Sequence, residues 1–337
     1  MSLGAQFLLL WVQTLLIDRL PEAVLDTATI HRIQQLVSLS DLRAHVEFLA
    51  HDALQGREAG TPYEKVAAAY IIAQHRRYGN EPFLPQGYVH AFALVPKRRA
   101  MPPAKKRSSS PPLPLDTPYA WNVLACRRGM VAPEEYVILS AHYDHIGTTS
   151  DGKVYNGADD NASGTAVLLE AARLISLLPP PKRTIVFFHT AAEEKGLLGA
   201  MRFVQDSLVR LDSIVAVVNT DMLGRTDTLH IPGELYLYSI GSTRATPRLY
   251  QLQEAVNNLC CGWHLDYRYD DPKDPLRLFY RSDHYAFAKH GVPAVFYFGG
   301  LHADYHGTGD DVDKIEWERL RLAAILTASL AWTLANL

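Results

Sequence analysis

From Trp121 onward the chain alternates short apolar runs of strand type with helical stretches, and few architectures accept that order. The runs are Trp121–Cys126, Tyr136–Ala141, Thr184–Phe188, Ile214–Val218, Leu235–Ile240 and Ala294–Phe298. The helical stretches are Ala162–Leu178, Leu198–Gln205, Thr246–Leu259, Asp283–His290 and Glu316–Leu334. Runs of strand length separated by helical periodicity predict an α/β fold: a central, mostly parallel (mixed) β-sheet flanked by helices on both faces. With 337 residues and 48% hydrophobic content, the chain can bury a core of that size.

The residues just beyond each strand narrow the function. Tyr136–Ala141 runs into His142, Tyr143 and Asp144, and Thr184–Phe188 leads to Glu193 and Glu194. Ile214–Val218 runs into Asn219, Thr220 and Asp221, and Ala294–Phe298 leads through Gly299 and Gly300 towards His306. A fifth cluster, Gly157-Ala158-Asp159-Asp160-Asn161, immediately precedes a helix. Ligands of open α/β sheets bind outside the carboxyl ends of the strands, where these clusters fall. Any one of these residues alone reads as a hydrogen-bonded strand end or a helix cap; together they read as a site. Imidazole and carboxylate without thiolate suit zinc, with Co or Mn as substitutes. Two His and three carboxylates exceed what one four-coordinate zinc with an open position needs. They fit two Zn2+ ions sharing one carboxylate, an arrangement that can hold a hydroxide and polarise a carbonyl.

The remaining chain is organised around that unit. Residues 1–39 read as an N-terminal helical segment; Phe7–Ile17 resembles the apolar part of a leader, without a preceding Lys or Arg. Residues 40–337 read as a single catalytic domain. Ser40 is expected to cap a helix through Leu42, Val46 and Leu49, and Thr61, Pro62 and Glu64 form a second helix start that Gly79 ends. Ala100–Pro118, with Lys105, Lys106, Arg107 and three consecutive serines, reads as a solvated Pro/Ser-rich loop. Leu322–Leu337 is uncharged but short for a transmembrane span, and reads as a closing helix. Lys plus Arg total 33 against 36 Asp plus Glu, a net charge of -3 that offers nothing to nucleic acid or an anionic membrane. Of three cysteines, Cys126 reads as a core thiol, and the neighbours Cys260 and Cys261 are not expected to pair.

The ordered set His142-Tyr143-Asp144, Gly157-Ala158-Asp159-Asp160-Asn161, Glu193-Glu194, Asn219-Thr220-Asp221-Met222, Ser282-Asp283-His284 and His306 resembles the zinc aminopeptidases of peptidase clan MH, of the bacterial leucyl aminopeptidase and aminopeptidase S type. Gly56-Arg57-Glu58-Ala59-Gly60-Thr61 also resembles a segment near that family's start, and the likeness runs from about Leu42 to the C-terminus. The resemblance implies a two-zinc exopeptidase acting on peptides with a free N-terminus, and an exported protein. It makes Asp159 the bridging ligand, pairs His142 with Asp221 and Glu194 with His306, and makes Glu193 the general base. Asp144 would orient His142, and the peptide after the bridging residue, Asp159–Asp160, would be cis.

Three other readings share the fold: a single-zinc glutaminyl cyclase-like enzyme, a non-catalytic binding or receptor relative, and a carboxypeptidase in which Arg281 would take the substrate carboxylate. The absence of a Gly-x-Ser-x-Gly elbow disfavours a serine hydrolase. His145, His189 and His302 are expected to be bystanders or pocket walls, Tyr305 a packing residue, Asn161 a helix cap, and Arg57 part of a local salt bridge.

Overall fold

The computed structural model describes residues 25–94, 117–231 and 233–337. The expected Ala100–Pro118 loop, up to residue 116, and the first 24 residues lie outside them. The strands are β1 (Glu81–Pro82), β2 (Val89–Ala93), β3 (Tyr119–Arg127), β4 (Ala132–His142), β5 (Arg183–Thr190), β6 (Ile214–Asp221), β7 (Tyr236–Ile240), β8 (His264–Asp266) and β9 (Ala294–Phe298). The helices are α1 (Thr27–Leu36), α2 (Leu39–Leu49), α3 (Pro62–Arg77), α4 (Gly164–Ser176), α5 (Leu198–Gln205), α6 (Ser242–Ala245), α7 (Pro247–Cys260), α8 (Tyr285–Ala288) and α9 (Trp317–Asn336).

The strands form one mixed sheet in the order β1-β3-β5-β4-β6-β9-β7-β8, with β2 also paired to β3. Its centre, β5-β4-β6-β9, is parallel, and the antiparallel pairs lie on either side. Central strands buried on both faces read as continuous apolar runs, which is why Val137–Leu139, Ile185–Phe188 and Ala216–Val218 were legible. The chain goes from β4 to β5 on one side, then crosses back to β6 on the other. That reversal opens a crevice at the carboxyl ends of β4 and β6, where open α/β sheets place ligands.

Both faces are covered. One core joins Ile30 and Ile33 of α1, Leu42 and Val46 of α2, Ala67 and Ile71 of α3, Leu168 and Ile175 of α4, and the closing helix α9. The other packs Phe203 of α5 and Phe287 of α8 on Phe188 of β5. No helix among the described residues is long and apolar enough to cross a membrane.

Local chemistry sets the helix ends. Helix α2 is capped by Ser38, whose hydroxyl accepts from Asp41 N, rather than by Ser40. Thr61 caps α3 with Pro62 in its first turn, and Glu64 reaches back to the Gly60 amide. Gly79 supplies the positive φ beyond that helix's last turn. Cys260 and Cys261 are paired with each other at the end of α7, contrary to the expectation from their adjacency, and Cys126 is a free buried thiol.

Candidate metal centre

The four parallel strands each deliver part of one cluster. His142 is the last residue of β4 and Asp221 the last of β6. Glu193 and Glu194 follow β5, and His306 sits on the loop after β9. The segment Ala158–Ser163, before α4, brings in the aspartates.

Here the structure corrects the expected bridge. Asp160, not Asp159, stands between the imidazoles: its Oδ1 lies 3.4 Å from His142 Nε2 and its Oδ2 3.2 Å from His306 Nε2. Asp159 turns away; its Oδ1 accepts the Gly224 amide and its Oδ2 faces His302 Nε2 at 3.3 Å. Backbone conformation and one distant carboxylate set this. Asp160 has extended backbone (φ -102, ψ 93), so successive side chains leave on opposite sides. The Asp310 carboxylate holds the amides of both Asp159 and Asp160 and fixes that orientation. The cis peptide is likewise one residue further on, at Asp160–Asn161.

The other donors converge as expected. His142 Nε2 lies 3.3 Å from Asp221 Oδ1, and His306 Nε2 lies 3.2 Å from Glu194 Oε2. Donor atoms of His142, Asp160 and Glu194 all fall within 4.8 Å of one another. A zinc with ligands at about 2.0–2.1 Å in tetrahedral directions separates neighbouring donors by about 3.3 Å. The four imidazole–carboxylate spacings match that value in two pairs that share Asp160.

Each donor is held by a partner. His142 Nδ1 donates to the Asp144 carbonyl at 3.2 Å, which leaves Nε2 free to face the acids. Orientation therefore comes from the main chain of Asp144. Its carboxylate, 3.9 Å from His142 Nδ1, instead accepts the Glu193 amide at 3.1 Å. Asp221 Oδ2 accepts from Ser282 Oγ (2.7 Å), Ser282 from Asn219 (2.7 Å), and Asn219 Oδ1 from Ser140 (2.7 Å). This chain leaves Oδ1 of Asp221 to the site. Glu194 Oε1 is held by His145 Nδ1 at 2.9 Å, and Tyr305 stacks on His306. Asn161 Oδ1 accepts the Gly164 amide at the start of α4, the contact expected of a cap, although Ser163 is the residue at the cap position itself.

Crowding of acids sets the electrostatics. Burial alone would push His142 down, but Asp221 and Glu193 push it well above its ordinary value. Hydrogen bonds to Asp160 and Glu194 raise His306 to about 10. Burial raises Asp144 to about 8 despite His142, and holds Glu193 well above the usual carboxylate range. Burial works against ionised Glu194, yet hydrogen bonds from His145 and His306 bring it below that range. The space between both Nε2 atoms and their carboxylates thus favours positive charge.

His142, Asp160, Glu193, Glu194, Asp221 and His306 line an open cleft whose other wall is apolar: Met222, Leu278, Phe296, Phe298 and Leu301. Arg281 stands at the rim and donates to Tyr305 Oη at 3.1 Å.

The Peptidase family M28 profile matches residues 122–331, from β3 to α9. The chain belongs to Peptidase family M28. Aminopeptidase NAALADL1 of Mus musculus is 38% identical over 107 residues, 30% of this chain and 13% of that one, so the chain spans far less than two thirds of this relative. BSAP, a zinc aminopeptidase from Bacillus subtilis, matches in fold with a TM-score of 0.67 at 17% identity, over 89% of this chain and 96% of that one. The glutaminyl cyclase of Porphyromonas gingivalis does so with a TM-score of 0.61 at 18% identity, over 88% and 98%. The zinc-exopeptidase-like fold is common to both structures.

In this M28 chain, sequence reasoning missed that Asp160, and not Asp159, stands between the imidazoles of His142 and His306, and that His145 is the partner of Glu194. Nothing in the run Asp159-Asp160 distinguishes the two; the distinguishing residue, Asp310, lies about 150 positions away. His302 faces Asp159, and His189 pairs with His75 inside the core. Arg57 makes no local salt bridge; it donates to main-chain carbonyls.

Proposed function

We propose that the protein is a two-zinc aminopeptidase in which Asp160 is shared by both ions. The observation that carries this is the Asp160 carboxylate, with one oxygen facing each imidazole at 3.4 and 3.2 Å. His142 and Asp221 would complete one zinc, and Glu194 and His306 the other. Zinc held there would polarise the scissile carbonyl and make water a competent nucleophile at neutral pH.

The chain's own residues supply the rest. Glu193 is not needed as a donor and is positioned through its amide by Asp144. Burial raises its carboxyl, which suits a group that takes a proton from the attacking water and returns it to the leaving amine. The apolar wall from Met222 to Leu301 receives the side chain on the amino side of the cut bond. The four carboxylates lining the inner cleft favour a substrate amine over a carboxylate. The names of the relatives, aminopeptidases in mouse and Bacillus subtilis, agree with this reading.

One rival has a specific observation behind it, the fold likeness to a glutaminyl cyclase. That activity needs one metal, whereas here each imidazole has its own terminal carboxylate besides the shared one. The experiment is hydrolysis of a panel of aminoacyl chromogenic substrates, before and after chelation. Chelator-sensitive release with zinc restoring it is expected. Cyclisation of N-terminal glutamine without hydrolysis would overturn the proposal.

A further inference from the structure

Arg57 is fully buried, yet none of its hydrogen bonds goes to a carboxylate. Nε donates to the Tyr143 carbonyl at 2.8 Å. Nη1 donates to the carbonyls of Leu49 and Asn156 at 2.5 and 2.6 Å, and Nη2 to that of Gly157 at 3.1 Å. Four of the five N–H groups of a planar guanidinium are thus spent on three separate segments. Leu49 ends α2. Tyr143 lies between His142 and Asp144. Asn156 and Gly157 lead directly into Ala158-Asp159-Asp160.

The neighbouring main chain repeats the same clamp. His145 N donates to the Arg57 carbonyl at 3.4 Å and Gly147 N to the Gly56 carbonyl at 3.3 Å. Gly56 has φ +67, and a Cβ there would stand 2.2 Å from the Gly147 carbonyl oxygen and 2.7 Å from that of Tyr155. Residues 56–57 are therefore wedged between the loop after β4 and the segment before α4, at a spacing no larger residue than glycine permits.

We propose that Arg57 is a positioning residue for the metal centre, tying the end of β4 with His142, and the loop after it with His145, to the segment that carries Asp160 so that their donor atoms stand at ligating distance before a metal arrives. This rests on the two-zinc reading for its functional consequence. No apolar side chain could take its place, since that would leave four main-chain carbonyls on three segments without their donor and the segments without a tie. Burial lowers its pKa only to about 10, with Asp160, Asp144, Asp310 and Glu194 near enough to favour the charged form, so the clamp stays cationic at neutral pH. Lysine cannot replace it, because one ammonium has three N–H groups at a single point and cannot serve four carbonyls on three segments.

The test compares Arg57→Lys with Ile71→Ala, a substitution in the same core on α3 but away from the clamp. Both are studied well below their melting temperatures. Hydrogen–deuterium exchange on metal-free protein should show faster exchange in Arg57→Lys at residues 143–147 and 156–162, and no such local change in Ile71→Ala. Zinc affinity, by competition with a chromogenic chelator, should fall at least tenfold in Arg57→Lys and stay within about twofold in Ile71→Ala, the range expected when a supporting residue of a metal site is removed. Unchanged local exchange in Arg57→Lys, or equal loosening in both variants, overturns the positioning role. Wild-type protein that binds no zinc would instead sink the two-zinc reading, and the exchange data would still decide for or against the clamp.

Discussion

Glu193 and Glu194 are neighbours with opposite electrostatics, a contrast that fits the roles proposed for them. Hydrogen bonds from two imidazoles hold Glu194 below the carboxylate range, whereas burial holds Glu193 above it. Glu193→Gln should keep both zinc ions, by mass spectrometry of digested metal content, and lose about 10²–10⁴ in kcat. Retained turnover would remove it from the base role. Ser282→Ala breaks the hydroxyl contact that reserves one oxygen of Asp221. Zinc affinity should fall by about 10–100-fold with little change in melting temperature. At this scale the convergence of His142, Glu194, Asp221 and His306 was legible only from the set, because each imidazole or acid after a strand has an ordinary structural use of its own. The choice between Asp159 and Asp160 was not, since it depends on Asp310 holding two amides from the far end of the chain.

Elements follow from caps and periodicity wherever they are long. Helix α5 (Leu198–Gln205) and strand β9 (Ala294–Phe298) have the bounds expected from their patterns alone. The short edge strands β1, β2 and β8 escaped notice. Three residues in β8 or two in β1 carry no periodicity, and their pairing is set by the partner strand. The expected helix Asp283–His290 shrinks to Tyr285–Ala288, because the main chain on either side tightens to i-to-i+3 bonds, as from Tyr285 N to the Ser282 carbonyl and from His290 N to the Phe287 carbonyl. Thr61 illustrates an element-scale dependence. Its hydroxyl caps α3 and donates to the Glu58 carbonyl at 2.7 Å, joining the helix to the segment that holds Arg57. Thr61→Ala should cost about 1 kcal/mol in urea unfolding with zinc stoichiometry unchanged. A loss below about 0.3 kcal/mol would show that Pro62 and Glu64 suffice.

Across the whole molecule, buried histidines tie stability to pH. His45 and His75 are 2% and 0% exposed, and burial depresses their pKa values to about 4 and about 3. Both lie below the unfolded value near 6.5, so the unfolded chain binds more protons on acidification. Their stabilising contribution is complete above pH 6.5 and is lost as pH falls from there toward 4 and 3. The slope is about 1.4 kcal/mol per pH unit for each histidine. Asp144 and His306 are raised and work in the opposite sense in metal-free protein, so the histidine contribution is read by comparing His75→Gln with wild type in urea unfolding at about pH 7.5 and about pH 5. Wild type should lose more, or gain less, on acidification than the variant, and an identical pH dependence in the two would contradict it. The same fold places the site, because reversal of chain direction around β4 gathers four strand ends at one crevice.

The most direct measurement is a crystal structure of zinc-loaded protein with anomalous differences collected at the zinc edge. The account predicts two peaks, one between His142 and Asp221 and one between Glu194 and His306, with the Asp160 carboxylate reaching both. A single peak, or a pair bridged by Asp159, would contradict it.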